Sequence, residues 1–125
     1  MAHTRSISWF TLIGALAAAV HYVVAVGLEA GLHIAPAWAN PCGFLLAFPV
    51  SYIGHGKLSF AGHTAPHAQA FPRFLLVAGS GFFANQLLLL SLLELFALPF
   101  WFTLAVVMVI VAVTTYVLSR YWAFK

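Results

Sequence analysis

Hydrophobic positions dominate this chain and gather into four runs, at residues 9–28, 38–53, 74–93 and 100–118, with the polar residues concentrated between them. Each run approaches the ~20 mostly apolar residues that a helix needs to cross the hydrocarbon core of a bilayer. The pattern predicts an all-α membrane protein with four transmembrane helices. The first run is too long for a cleaved signal peptide, and His21 and Tyr22 follow its alanines without a polar mature segment. The central connection, about 54–72, holds His55, His63, Pro66, His67 and Pro72, and reads as an exposed connector with turns.

Composition strengthens the membrane assignment. Of 125 residues, 64% are hydrophobic and 6% are charged, whereas a soluble domain is roughly a quarter charged. Such a chain cannot clothe a globule in water without large apolar patches. Four spans take up roughly 80 positions, so a single transmembrane domain is expected, with no room for a second. The net charge of +3 comes from five cations spread along the chain, which form no contiguous patch for nucleic acid. The lone cysteine, Cys42, lies between Pro41 and Gly43 and reads as a small packing residue rather than a reactive thiol.

Charge placement sets the expected topology. Arg5 precedes the first run, Lys57 and Arg73 lie between the second and third, and Arg120 and Lys125 follow the fourth. The other two connections carry Glu29 and Glu94 without a cation. The positive-inside rule therefore puts both termini and the central connection in the cytoplasm. Trp9, Trp38, Trp101, Tyr121 and Trp122 sit near the ends of the runs, where interfacial aromatic belts form.

Sliding the sequence along itself by 64 positions sets Phe10 on Phe74, Leu12 on Leu76, His21 on Asn85, Leu28 on Leu92, Tyr52 on Tyr116 and Phe60 on Phe124. The chain reads as a degenerate duplication, with one repeat over about 9–60 and the other over about 73–124. Each half has two spans, so the halves should be parallel repeats related by an axis along the membrane normal.

Two motifs recur in these halves. An opening of the type Phe-x-x-x-Gly is present from Phe10 to Gly14, and Phe74 occupies the same place ahead of Ala78 and Gly79. A closing segment runs from Tyr52 to Phe60 and from Tyr116 to Phe124. On these motifs, over nearly its whole length, the sequence resembles the GtrA-like family of small bacterial membrane proteins. The family's closing Asn-Arg pair reads His55-Gly56 in the first half and Ser119-Arg120 in the second. Where the family's first span often carries Asp or Asn this chain has His21, while Asn85 matches in the third span. The resemblance implies a protein of the cell inner membrane that acts in cell-surface polysaccharide synthesis. It would move, or help to move, a polyprenyl-phosphate-linked sugar across the bilayer beside a membrane glycosyltransferase.

Candidate site residues follow from depth and charge. His21 and Asn85 fall near the middle of their spans, where a polar side chain is costly unless partnered. With Gln86 they could hydrogen-bond a sugar hydroxyl, His21 could respond to protonation, or the set could be a structural inter-helix hydrogen bond. Lys57, Arg73 and Arg120 lie at the expected cytoplasmic interface, where cations can hold a lipid phosphate or simply set topology. His63 and His67 stand beside Pro66 with no carboxylate or thiol, so no metal site is expected, and no cofactor is implied. Pro49 should kink or loosen the second span, as a static kink packed by its neighbours or as an asymmetric hinge. Gly79, Ser80 and Gly81 read as a packing surface first and a substrate groove second, and Gly27 with Gly31 matches a helix-association motif; these small-residue surfaces permit a homodimer.

Three functions compete at this stage. A translocase, or a subunit of one, fits best; a scaffold that anchors and orients the glycosyltransferase is the alternative. A small cation-drug exporter would need a membrane-embedded carboxylate, and Glu29 and Glu94 both lie at span ends. No acid, base and nucleophile set can be assembled, so no enzyme is expected.

Overall fold

In the computed structural model, residues 2–59 and 67–118 are described, with side chains for residues 8–57 and 71–114. They form helix α1 (Ala2–Leu32), helix α2 (Pro36–Gly54) continued by a π-helical turn at His55–Ser59, helix α3 (His67–Leu95) and helix α4 (Phe100–Leu118). No strand occurs among the described residues. Two helices contain stretches long and apolar enough to cross a membrane, Ser8–Leu32 and Phe71–Leu95, and Phe100–Thr114 is a shorter apolar helix.

The helices outrun the apolar runs because backbone hydrogen bonding continues through interfacial residues that lipid does not cover. The sequence-expected connector at 54–72 is correspondingly shorter: α2 and its π-turn consume its first part, and α3 already begins at His67. His55, expected in an exposed loop, is buried and stacks on Phe10, with ring centroids 4.5 Å apart. His63 lies outside the described residues.

Local chemistry accounts for the ends. Helix α1 stops where His33 takes a left-handed backbone, φ 57°, and the Ile34 N–H donates back to the Leu28 carbonyl at 3.1 Å. Pro36 then opens α2 at its first position, where a missing N–H costs no hydrogen bond. Pro41 and Pro49 both lie inside α2, which stays helical across each.

Four antiparallel neighbours build the bundle. From the far end, which carries the turns at 33–35 and 96–99, inward to the middle of α4, the core comprises Ala25, Ala39, Leu89, Phe100, Leu104 and Val107, and Tyr22 Oη ties α1 to α4 by donating to the Trp101 carbonyl at 2.9 Å. At the near end, which carries Phe10, Gly54 and Phe74, aromatic rings replace this aliphatic core. Phe10 and Phe74, the paired opening-motif residues, converge on His55, while Tyr52 and Phe48 pack on Phe71 and Phe74. The recurring motifs therefore meet one another and hold α1, α2 and α3 together. Burial of His55, which disfavours the charged ring, holds its pKa below 6.5.

Close approach of α1 and α2 rests on small residues one turn apart. Ala39, Gly43 and Ala47 are buried on α2 and face α1, where Ala17 and Ala25 are buried too. Such stripes let backbones touch in lipid, where no hydrophobic force drives helices together. A Cβ at Gly43 would lie 2.6 Å from the His21 carbonyl oxygen. The glycines singled out by motif behave differently: a Cβ at Gly27, Gly31, Gly79 or Gly81 would meet nothing within 4 Å, so none mediates close packing among the described residues. Cys42 is exposed and packs against none of these helices, because the inward face of α2 is the one that carries Ala39, Gly43 and Ala47.

Gly43→Ala should therefore lower stability by about 1–3 kcal/mol through overpacking, although alanine favours a helix by roughly 1 kcal/mol over glycine. Gly27→Ala should leave stability unchanged or raised. Denaturant titration in mild detergent measures both; equal behaviour of the two variants would contradict this packing.

Candidate functional site

Pro41 lacks an N–H, so the Ala37 carbonyl one turn earlier has no helical partner. That carbonyl accepts instead from Gln86 Nε2 of α3, at 3.1 Å. A carbonyl can only accept, and this sets the direction of every bond that follows. With its amide nitrogen committed to Ala37, Gln86 presents Oε1 to Asn40, whose Nδ2 donates to it at 2.8 Å and to Asn85 Oδ1 at 2.8 Å. Asn40 Oδ1 is then the acceptor for His21 Nε2, at 2.7 Å. Neutral His21 is therefore the Nε2–H tautomer, and its Nδ1 is an acceptor.

Asn40 is fully buried, and His21 and Asn85 are 8% and 5% exposed. The sequence-derived candidates His21, Asn85 and Gln86 thus converge from α1 and α3, but they do so through Asn40 on α2, a residue the sequence reading overlooked. Two signals could have found it: an amide inside an apolar run, and the proline directly after it.

The hub divides the bundle. One turn toward the far end, Ala25 and Leu89 are fully buried in the core. One turn toward the near end, Ala17 and Gly81 instead line a cleft of about 220 Å³, shared by all four helices. Its walls include Phe44, Phe48 and Phe82, the small residues Ala18, Ala47, Ala78 and Ala112, and Ser51; His21 and Asn85 form its floor. Phe44 and Phe82 stack with centroids 4.5 Å apart and planes at 18°, and His21 lies 6.0 Å from Phe82. The opening space beside Gly81 belongs to this cleft, which assigns that glycine to the groove rather than to helix packing.

The cationic candidates stand apart. Lys57 is exposed on the π-turn and Arg73 is exposed near the start of α3, both at the near end, and neither reaches the hub. Arg120 lies outside the described residues.

Residues 9–124 match the family model described as GtrA/DPMS, transmembrane domain, and the chain belongs to that family. No curated protein and no solved structure matches it. Family and apolar helices together make this a membrane protein, in a family tied to the handling of lipid-linked sugars.

Removing the hub's centre should strand three polar partners. Asn40→Leu should cost about 1–3 kcal/mol, the scale for buried groups left unpaired. In a cycle with His21→Phe the effects should be strongly non-additive, the second change costing little once Asn40 is gone. Unfolding midpoints of the single and double variants provide the check; simple additivity would mean that Asn40 does not organise the site.

Proposed function

We propose that this member of the GtrA/DPMS transmembrane family is a translocase, or a translocase subunit, for a polyprenyl-phosphate-linked sugar in cell-surface polysaccharide synthesis. The observation that carries this reading is a cleft closed at the far end by the hub and aliphatic core, extending toward the end that bears Lys57 and Arg73. All four helices cross the inner membrane, and both termini lie in the cytoplasm by the positive-inside rule. The near end then faces the leaflet where a lipid-linked sugar is made. Its cations attract the lipid phosphate, the polyprenyl chain stays in the bilayer, and the sugar enters the cleft.

Parallel repeats fit this reading. Under the 64-position shift, five buried positions around the hub fall on buried positions, His21 on Asn85, Ala25 on Leu89, Ala39 on Thr103, Asn40 on Leu104 and Gly43 on Val107, whereas buried Ile13 nearer the helix ends falls on exposed Val77. Transport between such halves places the substrate on the shared seam, near the bilayer midplane, which is where His21 and Asn85 meet.

A scaffold for the partner glycosyltransferase is the second reading. It draws on the outward face of α3, where Pro72, Leu75, Leu76, Gly79, Ser80 and Phe83 line a separate groove.

Purified protein in liposomes should move a labelled polyprenyl-phosphate sugar between leaflets. Lys57→Ala, Arg73→Ala and Arg120→Ala should each slow this by roughly tenfold where the cation donates a charged hydrogen bond to phosphate, worth about 1.5–3 kcal/mol. A folded wild type that moves nothing alone, while groove substitutions such as Gly79→Leu release the glycosyltransferase, would replace the translocase by the scaffold.

A further inference from the structure

The hub uses only part of its hydrogen-bonding capacity. His21 Nε2 and Asn85 Oδ1 are committed to Asn40. No hydrogen bond from the described residues reaches His21 Nδ1 or Asn85 Nδ2. Yet no buried side-chain nitrogen or oxygen among these residues is left without a partner, so these two atoms are not sealed inside the protein. Both side chains, more than nine-tenths buried, line the cleft. An acceptor and a donor are therefore both unspent at its floor. A hydroxyl is the group that complements this pair, because it donates to Nδ1 while accepting from the amide N–H.

The walls restrict the ligand further. Stacked Phe44 and Phe82 supply apolar ring surface beside the floor, and the negative face of an aromatic ring favours the weakly positive C–H groups of a saturated ring. The cleft, at about 220 Å³, lies below the ~300–1,000 Å³ of pockets for drug-sized ligands, which suits one ring and not a chain of them. Among the described residues, no Lys, Arg, Asp or Glu lines it. A carboxylate or ammonium group entering the cleft would lose its hydration with no opposite charge to meet.

We propose that the cleft is a subsite for a single uncharged, hydroxyl-bearing sugar ring, with one hydroxyl bridging His21 Nδ1 and Asn85 Nδ2, and that it rejects acidic and amino sugars. This rests on the reading of the protein as a handler of lipid-linked sugars and adds the selectivity of its site. Specificity here is negative as well as positive, because unpaired charge on the wrong ring is what the walls penalise.

The test uses full-length protein in nanodiscs and three probes on the same polyprenyl phosphate: a neutral hexose, the corresponding hexuronic acid and the corresponding aminodeoxyhexose. The neutral probe should bind at least about tenfold more tightly than either charged one. Gly81→Leu, at a position where a Cβ meets nothing within 4 Å, should abolish neutral-probe binding while keeping the wild-type unfolding midpoint. Gly27→Leu, at a position with the same room for a Cβ but outside the cleft, should change neither. Equal binding of all three probes, or binding that survives in Gly81→Leu, overturns the subsite and leaves the lipid-linked sugar reading standing. Failure of wild type to bind any of the three overturns that reading and the subsite with it.

Discussion

The bundle depends on a carbonyl that its own helix cannot satisfy. Pro41 withdraws the hydrogen bond that Ala37 would otherwise receive, and Gln86 answers from α3. Because that oxygen can only accept, the amides of Gln86 and Asn40 and the ring of His21 are oriented in series. Three helices are thereby joined by directional bonds in an environment where apolar contacts alone favour no partner over lipid. Each such bond is worth little in membrane proteins, averaging ~0.6 kcal/mol. Their value here lies in setting which atoms face inward and which remain for a ligand.

The division of the molecule at this level links packing to function. Toward the far end Ala25, Ala39, Leu89 and Phe100 fill the bundle axis and close it, and Leu104 and Val107 continue this core along α4 to the level of the hub. Toward the near end the axial side chains shrink to alanine and glycine on one side and rise to phenylalanine on the other, leaving the cleft. The aromatic wall continues through Phe48 and Tyr52 to Phe74 and His55, so the near end stays assembled without filling its centre.

Much of this was legible in the sequence. The helices followed from hydropathy, because lipid imposes a length on apolar runs that solvent does not. Their ends did not, since a helix continues past the lipid boundary and Gly54 to Ser59 wind onward rather than loop. His21 and Asn85 stood out as a matched polar pair under the internal repeat. Asn40 escaped the same reasoning because its repeat partner is Leu104, an apolar residue equally buried, and because Pro41 beside it read as a neighbour of Cys42 rather than as the cause of a freed carbonyl. Small residues misled in a similar way. Glycine spacing drew attention to Gly27 and Gly31, whereas the contacting stripe, Ala39, Gly43 and Ala47, is mostly alanine, which is too common in an apolar run to announce itself.

The division at the hub can be probed directly by thiol labelling in a Cys42→Ala background. Cysteine placed at Gly81, in the cleft, should react with a water-soluble maleimide applied from the side that bears Lys57 and Arg73, while cysteine at Leu89, one turn beyond Asn85 in the far-end core, should remain unlabelled in the folded protein. Labelling of position 89 at the rate of position 81, or protection of both, would contradict a bundle that is closed on one side of the hub and open on the other.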